Sequence, residues 1–241
     1  MERPYIVCHM MTSLDGKIMG NFFETPEATK AGEVFDNIIF GETPYYEVDA
    51  WMCGRVTTDD NFTFYKKPDL DEQAPPVPAG DFVVPKKERF FYVNVDGSGK
   101  LGWTENTIEY AGARAQVLEI LTGKASNAYK AFLRKLNIPY IIAGEIDLDA
   151  VLAMKKLKDL FGIERLMLGG GGIINWTFLQ AGLCDEVSLI ITAAADGSMK
   201  TPSLFDAPEG LATDEPKRFE LIDVAVKAGG SLWARYKVVN E

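Results

Sequence analysis

The stretch RLMLGGGGIINWTFLQAGLCDEVSLIITA, residues 165–193, contains a strand, a glycine run, a helix and a second strand in succession. The two predicted strands, Arg165–Leu168 and Val187–Ala193, are almost continuously apolar, which is typical of strands covered on both faces. The helix between them begins inside the glycine run and ends at Gly182. A strand, a helix and a strand in this order predict a parallel βαβ unit and, with it, an α/β fold.

The same alternation of strands and helices extends along most of the chain. Further strands are predicted at Tyr5–Met11, Asp49–Cys53, Phe90–Val95, Val117–Leu121 and Pro139–Ala143. Further helices are predicted at Glu27–Ile39, at Ser126–Leu136 with Ser126 as N-cap, and at Asp149–Phe161, capped by Asp147 or Asp149 and ended by Gly162. Near the C-terminus, Phe219–Val226 and Leu232–Val239 flank a glycine-containing turn and predict an antiparallel hairpin. The sequence thus predicts one domain over residues 1–241, with a mainly parallel mixed sheet flanked by helices and a C-terminal hairpin.

Residues 66–88 interrupt this alternation. Five prolines and many charges lie between Lys66 and Lys87, and the apolar residues there have no regular spacing. This composition predicts an irregular surface insertion, and a lid over a site is one role that such a segment can have.

The composition narrows the function. The chain carries a formal net charge of −10, one histidine and three cysteines. An acidic chain has no basic surface for a phosphate backbone, so we expect no nucleic-acid partner. A single histidine excludes multi-histidine metal sites, and His9 lies in an apolar run that is more typical of a packed core residue than of a catalytic base. Cys8, Cys53 and Cys184 are far apart beside apolar residues, which favours buried thiols in a reducing cytoplasm.

One segment has the length of a membrane span, because residues 166–184 carry no charge. Four consecutive glycines, Asn175, Thr177 and Gln180 make it a poor span. The N-terminus is too weakly apolar for a signal peptide. We therefore expect no association with a membrane.

The glycine run Gly169–Gly172 is the strongest local feature. Glycine lacks a Cβ atom, so a ligand can approach the backbone closely, and the unpaired N–H groups at the start of the following helix attract an anion. This arrangement predicts a cradle for a phosphate or pyrophosphate group. A tight turn from strand to helix is the structural alternative.

A second glycine motif, Gly97-Ser98-Gly99-Lys100-Leu101-Gly102, has the G-x-G-x-x-G spacing of a dinucleotide fingerprint. That fingerprint requires a helix directly after the glycines and an acidic residue about 20 positions later. Residues 103–107 have no amphipathic helical pattern, and Glu119 lies inside a predicted strand. We therefore interpret this segment as a loop, from which Ser98 and Lys100 can still contact a phosphate.

Two more polar segments follow predicted strands, where ligands bind in open α/β sheets. They are Ser13-Leu14-Asp15-Gly16-Lys17-Ile18 and Gly54-Arg55-Val56-Thr57. Each segment alone is typical of a solvated turn. Together with the glycine run Gly169–Gly172, they make three glycine-containing strand ends in one predicted sheet. Three such ends predict a ligand site.

Together these segments resemble a known family. VCHMMTSLDGKI (residues 7–18), DAWMCGRVT (49–57), VDGSGKLGW (95–103) and the stretch from Ile163 to Gly197 are similar to the riboflavin-biosynthesis pyrimidine reductases. That family is the reductase domain often fused to a deaminase, and it has a dihydrofolate reductase-like fold. The resemblance covers nearly the whole chain except the insertion from Lys66 to Lys87.

The resemblance implies NADPH as the hydride donor. The residues it assigns to the cofactor are Met11 and Thr12 near the nicotinamide, Gly54, Arg55 and Thr57, the loop of Asp96, Gly97 and Ser98, and Gly170, Gly171, Gly172, Ile173 and Ile174 around the pyrophosphate. Arg55, Ser98 and Lys100 are candidates for neutralising the 2′-phosphate that distinguishes NADPH from NADH. Ser13, Asp15 and Gly169 are expected to contact the substrate. Relatives are commonly homodimers, for which the hairpin Phe219–Val239 offers a surface.

The chain also departs from the family pattern. A glutamate that usually precedes the glycine pair and contacts the substrate is replaced by Gly169. Between Glu27 and Asp49 there is no arginine for the substrate phosphate, and Lys30 is the one base there. The zinc motifs of a deaminase, H-x-E and P-C-x-x-C, are absent from the sequence.

The sequence therefore predicts an NADPH-dependent reductase that transfers a hydride to a C=N or C=O carbon of a small heterocycle. Asp15 and Lys17 are assigned to substrate contact or proton delivery, with water as an equal candidate for the proton. Two alternatives stay open. The same fold can act on a pterin or another unrelated small molecule, or the chain can bind NADPH without catalysis.

Overall fold

The computed structural model describes residues 3–207 and 215–240. Internal contacts divide the chain into two compact units. Unit 1 comprises Asp49–Leu166 with the N-terminal residues up to Pro4, and unit 2 comprises Tyr5–Val48 and Met167–Glu241. The single domain expected from the sequence stays a prediction.

Within the described residues, ten strands and five α-helices follow one another along the chain. They are β1 (Tyr5–Thr12), α1 (Pro26–Phe40), β2 (Ala50–Gly54), α2 (Arg55–Thr58), β3 (Phe90–Val95), β4 (Thr107–Tyr110), β5 (Ala113–Leu121), α3 (Asn127–Lys135), β6 (Tyr140–Ile142), α4 (Ala150–Phe161), β7 (Arg165–Leu168), α5 (Gly172–Gln180), β8 (Glu186–Ile191), β9 (Arg218–Val226) and β10 (Leu232–Val239). The predicted α/β class with a mixed sheet is confirmed.

The sheet of unit 1 is mainly parallel. Strands β2 and β3, β3 and β5, and β5 and β6 pair in parallel, whereas β4 pairs antiparallel to the start of β5. Strand β4 and residues 113–116 of β5 are absent from the sequence prediction. The turn that joins the two strands uses Ala111 at φ +48°, and a non-glycine residue in that conformation gives no sequence signal.

Unit 2 contains parallel and antiparallel pairs. Strands β1 and β8 are parallel, β10 is antiparallel to β8, and β9 is antiparallel to β10. The predicted C-terminal hairpin is thereby confirmed. Strand β9 carries exposed side chains along almost its whole length, whereas β1 is buried after its first residue.

The helix ends follow their predicted caps. The Ser126 hydroxyl accepts the Tyr129 N–H at 3.0 Å, and the Asp149 carboxylate accepts the Leu152 N–H at 2.9 Å. Of the two caps considered for α4, Asp149 is therefore the one used. Gly162 ends α4 at φ +66°, where a glycine avoids the strain that a Cβ atom would cause.

Residues 66–88 contain no helix or strand, apart from an isolated bridge between Phe82 and Tyr140. The Val77 N–H donates to the Asn127 side chain at 2.9 Å, and Lys87 N–H donates to Gln116 at 2.9 Å. These bonds hold the middle and the end of the segment against α3 and β5 of the same unit. This attachment does not favour a mobile lid. In the described part of the chain, every helix is too short or too polar to cross a membrane.

Candidate functional site

In unit 2, the turn after β1 brings three predicted residues together. The Ser13 N–H donates to the Lys17 carbonyl at 3.0 Å, and Gly16 at φ +76° closes the turn. The buried Ser13 hydroxyl donates to Asp15 Oδ1 at 2.6 Å and accepts the Lys17 N–H at 2.9 Å. Ser13, Asp15 and Lys17 therefore form one hydrogen-bonded unit.

The Asp15 carboxylate also holds a distant segment. It accepts the N–H groups of Asp196 and Gly197, both at 2.9 Å. The hydrogen bond from Ser13, followed by these two backbone bonds, lowers the pKa of Asp15 well below its usual range. An exposed carboxylate that is ionised at neutral pH has no proton to donate, so this geometry favours substrate contact over proton delivery.

The Lys17 ammonium points to neutral oxygens. Its Nζ lies 3.3 Å from the Thr201 carbonyl and 3.4 Å from the Ser203 hydroxyl. Among the residues that the structure describes, it has no carboxylate partner. Its charge is therefore available to an anionic ligand at this turn.

Residues 194–206 are a part of the site that the sequence analysis missed. Their backbone bonds to the turn after β1 through Leu14 N–H to Ala194 at 2.7 Å and Ile18 N–H to Pro202 at 3.1 Å. Asp206 N–H bonds to the Gly172 carbonyl at 3.2 Å. The segment thus links two predicted loops. Its signal in the sequence is the polar turn Asp196-Gly197-Ser198 shortly after β8, a further strand end in the same unit.

Packing explains two glycines of the predicted cradle. Gly170 has φ +90°, and a Cβ atom there would lie 2.8 Å from the Met10 side chain. A Cβ atom on Gly172 would clash with the Ser203 carbonyl and with Asp206. The peptide bond between Gly170 and Gly171 is cis. The structural alternative for the glycine run therefore holds at these two positions.

Gly171 differs, because it adopts an ordinary φ of −71° at the N-cap of α5. No side chain caps this helix start, so its first N–H groups are the ones that an anion can use. The Asp206 carboxylate, however, accepts the Ser203 N–H at 3.0 Å beside Gly172. The negative charge of Asp206 repels an anion beside Gly172. Fewer positions are therefore open to a phosphate group than the sequence suggests.

Several buried side-chain polar atoms of unit 2 have no hydrogen-bond partner among the described residues. Asn175 Oδ1 and Thr192 Oγ1 are two of them, and Trp176 Nε1 and Arg235 Nε are others. Asn175 donates its amide to the Leu204 carbonyl at 3.0 Å and its N–H to Gly171 at 3.1 Å. Thr192 donates its N–H to Thr12 at 2.8 Å. Buried polar atoms are normally paired, so Asn175 and Thr192, which bond to the predicted site residues Gly171 and Thr12, are candidates for a ligand contact.

In unit 1, the segment after β2 is a short helical turn. Arg55 contacts the Asp59 carboxylate at 3.1 Å, so part of its charge is already neutralised. Thr57 is half-buried and its carbonyl accepts the Asn61 amide at 2.7 Å. The neighbouring Thr58 is buried and donates to Asn94 Oδ1 at 2.6 Å. This segment is therefore tied to β3 through Thr58 rather than through Thr57.

The loop after β3 closes on itself. Buried Asp96 accepts the N–H groups of Lys100 and of Leu101, the latter at 2.9 Å. A Cβ atom on Gly99, which has φ +70°, would clash with the Tyr129 ring. Residues 101–106 then lead to β4 with no helix between. The interpretation that this G-x-G-x-x-G is not a dinucleotide fingerprint is confirmed.

Behind this loop lies a buried carboxyl that the sequence analysis did not single out. Glu119 accepts the Asn94 amide at 3.0 Å and the Trp103 indole N–H. Burial, together with the nearby charge of Asp96, raises the pKa of Glu119 well above its usual range. Burial likewise raises the pKa of Asp96. A glutamate within an otherwise apolar strand is the signal that could have identified it.

His9 is a core residue, as the sequence predicts. Its ring is fully buried, lies 2.9 Å from the Ser188 hydroxyl and 3.1 Å from the Phe35 carbonyl, and stacks on the Phe35 ring at 4.3 Å. Burial lowers the pKa of His9 to about 4. The three cysteines are free and buried, also as predicted.

Comparison with known proteins agrees with this architecture. The family model for the RibD C-terminal domain matches residues 105–231. A 2,5-diamino-6-ribosylamino-4(3H)-pyrimidinone 5′-phosphate reductase of Methanothermobacter thermautotrophicus is 27% identical over 212 residues, which cover 87% of this chain and 86% of the relative. Among solved structures, a pyrimidine reductase-like protein of Corynebacterium diphtheriae matches with a TM-score of 0.69 and 17% identity, over 99% of this chain and 93% of that one. Acinetobacter baumannii RibD matches with a TM-score of 0.62 and 19% identity, over 98% of this chain and 58% of that one.

The fold is that of the riboflavin-biosynthesis pyrimidine reductases, whose solved structures match almost the entire chain. The match to the family model extends over more than half of the residues. The chain belongs to the RibD C-terminal domain family.

Proposed function

We propose that this protein is an NADPH-dependent reductase whose substrate is a ribosylaminopyrimidine phosphate. Family membership and the name of the Methanothermobacter relative support the reaction class. The observation that carries the proposal is the start of α5 at Gly171, where no side chain occupies the first N–H groups. Helix N-termini bind pyrophosphate groups through backbone N–H, which supports this position, although the Asp206 carboxylate beside Gly172 restricts it.

The residues of the chain bind and orient, while the bound nicotinamide supplies the hydride. The first turn of α5 holds the pyrophosphate, and unpaired Asn175 Oδ1 and Thr192 Oγ1 belong to the same unit. The Lys17 ammonium holds an anionic group of the substrate, a role supported by its neutral surroundings. Because Asp15 is ionised, we assign the proton that follows the hydride to Lys17 or to water.

Preference for NADPH over NADH needs a cation for the 2′-phosphate. Of the three candidates in unit 1, Lys100 is exposed and has no ion-pair partner among the described residues, whereas Arg55 is paired with Asp59. We therefore assign the 2′-phosphate to Lys100 first, with Ser98 beside it in the loop.

Binding and turnover test this function separately. Titration of NADPH and of NADH, followed by tryptophan fluorescence, is expected to show binding of both with NADPH the tighter. Loss of reduced-nicotinamide absorbance should then depend on an added ribosylaminopyrimidine phosphate. Failure of both cofactors to bind would contradict the proposal, and binding without turnover would favour a non-catalytic NADPH-binding protein.

A second candidate function is a reductase of the same fold that acts on a pterin or another small molecule. The observation in its favour is Gly169, which stands where the family has a substrate-contacting glutamate, together with the absence of arginine from residues 27–49. NADPH oxidation with dihydropterins and small carbonyl compounds, but not with the pyrimidine, would establish this alternative.

We also propose a cytoplasmic homodimer. Its location is supported by the three buried, free thiols. The surface for pairing is β9, which exposes Phe219, Leu221, Ile222, Val224 and Val226 at the edge of its hairpin. Light scattering is expected to give twice the chain mass, and Ile222→Lys should shift the particle towards the monomer. A monomeric wild-type chain would contradict the dimer.

A further inference from the structure

A cavity of about 330 Å³ lies in unit 1, among residues that the proposed function does not use. Its walls are the apolar residues Val83, Val84, Pro85, Phe91, Leu160 and Phe161, and one polar residue, Lys86, completes the lining. An apolar cavity with a single amine at its wall has the form of a site for an apolar molecule with one reactive or polar end.

The backbone on both sides of Lys86 is fixed by one buried amide. Gln116 accepts the Lys87 N–H at 2.9 Å and donates to the Pro85 carbonyl at 3.4 Å. Val84 is buried as well. The backbone position of Lys86 is therefore fixed, and its side chain begins at the wall of the cavity.

The side chain lies over an aromatic wall. Lys86 Nζ is 5.1 Å from the centre of the Phe91 ring, and that ring packs edge-on against Phe161 at 5.5 Å. No carboxylate within the described part of the chain forms an ion pair with Lys86. The Phe91 ring is therefore a direct contact of this ammonium, and no carboxylate of the described residues is close enough to form an ion pair with it.

Lys86 is exposed, and the part of its side chain that lies against these walls loses solvent. This partial desolvation lowers the pKa of Lys86, and the charge of Asp49 opposes the shift only in part. Asp49 itself accepts the N–H groups of Glu164 and Arg165, at 2.8 and 3.0 Å. A lysine with a lowered pKa carries more neutral amine at neutral pH, and the neutral amine is the nucleophile.

We propose that Lys86 is a covalent modification site for aldehydes that carry an apolar group. The neutral amine attacks the carbonyl carbon, a C–N bond forms, and the carbonyl oxygen leaves as water with the two amine protons. The product is an imine, and the apolar group of the aldehyde occupies the cavity between Phe91, Leu160 and Phe161. No electrons are transferred, so the step needs no oxidant or reductant.

The experiment compares two adjacent lysines in the full chain. The protein is incubated near neutral pH with benzaldehyde and sodium cyanoborohydride, which reduces each imine to a stable secondary amine. Labelled positions are then followed over time by peptide mass spectrometry. Both lysines are exposed, and we expect Lys86 to be labelled several-fold faster than Lys87, which does not line the cavity. Lys86→Arg should abolish the fast phase, and the matched variant Lys87→Arg should leave it unchanged.

Two further comparisons distinguish the reactivity of the amine from the contribution of the cavity. One uses formaldehyde, and the other uses a variant in the cavity wall. Formaldehyde is too small to need the cavity, so the excess labelling of Lys86 should be larger for benzaldehyde than for formaldehyde. Leu160→Ser changes a partly exposed wall residue and should reduce the benzaldehyde excess alone. Equal labelling of Lys86 and Lys87 by benzaldehyde, or an excess no larger than with formaldehyde, would overturn the proposal. Circular dichroism of each variant confirms that the compared chains are folded.

Discussion

Two aspartates that follow strands each bind backbone N–H groups, Asp15 those of a distant segment and Asp96 those of its own loop, yet their carboxyl groups differ in charge. Asp15 after β1 and Asp96 after β3 each accept two backbone N–H groups. Asp15 is exposed, and its hydrogen bonds lower its pKa, whereas Asp96 is buried, and loss of solvent raises its pKa. Burial, and not the hydrogen-bond pattern, decides the direction of the shift.

The difference distinguishes a loop arranged for stability from one in which we expect substrate contacts. Asp96 satisfies N–H groups that are removed from water, so the loop of unit 1 is arranged mainly for its own stability. Asp15 keeps a full charge at the surface, next to Ser13 and Lys17. The turn after β1 is therefore the better place to expect substrate chemistry.

The largest expected effect is on stability, from Asp96→Ala. Removing the carboxylate leaves two N–H groups without an acceptor, and each such group costs about 1–3 kcal/mol when buried. We expect the free energy of unfolding to fall by about 3 kcal/mol, since loss of the desolvated carboxyl offsets part of the cost. Urea unfolding measures it.

The matched variant is Asp15→Ala, which frees two N–H groups that water can reach. Its loss of stability should be clearly smaller, while turnover falls. Equal losses in the two variants would show that the two loops play the same role and would remove the distinction between them.

Much of the fold is predictable because the strands are short, apolar and bounded by polar turns. Phe90–Val95 and Arg165–Leu168 have the same bounds in the structure as in the sequence prediction. Strand β4 gives no such signal, since two of its four residues are exposed and its turn has Ala111 at the first central position, where asparagine, aspartate or glycine is usual. The helical turn Arg55–Thr58 and the π-helical turn Asp59–Thr63 were missed because RVTTDDNFT has low helix propensity.

The site is predictable only where its residues are adjacent in sequence. Ser13, Asp15 and Lys17 form one turn, and the glycine run opens α5, so a local pattern identifies both. The contacts of Asp15 with Asp196 and of Gly172 with Asp206 join positions that are far apart in the chain. They depend on tertiary packing, which no local pattern contains. The same holds for the packing of the Tyr129 ring against Gly99, which makes glycine necessary at position 99.

The glycine run Gly169–Gly172 is a third loop to compare with those of Asp15 and Asp96. Packing accounts for glycine at some of its positions but not at Gly171. Gly171→Val should weaken NADPH binding by about 2 kcal/mol or more, roughly thirtyfold in Kd, because the side chain blocks the start of α5. Its φ of −71° suits valine, so the fold should survive. Gly172→Ala should instead lower stability through its clash with Ser203. Fluorescence titration and thermal unfolding measure the two effects, and unchanged affinity in Gly171→Val would make the run purely structural.

His9 tests whether burial alone sets a pKa in unit 2. Its pKa falls from 6.5 to about 4 on folding, so the unfolded chain binds the proton more readily below pH 6.5. The contribution of neutral His9 to the free energy of unfolding is therefore fully present above pH 6.5. It is lost as the pH falls towards 4, and the loss is about 2 kcal/mol near pH 5. Urea unfolding at neutral pH and near pH 5 should show this loss in the wild type and a smaller one in His9→Gln. The same loss in both chains would assign the pH dependence to other groups.

The smallest expected effect concerns Lys100, and it decides whether the closed loop after β3 serves the cofactor at all. Its backbone N–H is bound to Asp96, but its exposed ammonium has no ion-pair partner in the described residues. A solvent-exposed charge contributes up to about 1 kcal/mol, so Lys100→Gln should reduce the preference for NADPH over NADH roughly fivefold. NADH affinity should not change, since NADH lacks the 2′-phosphate. Arg55→Gln is the matched control, and its effect should be smaller because Asp59 already pairs with that guanidinium. The reverse order would assign the 2′-phosphate to the turn after β2, and the loop of Asp96 would then be structural in every respect.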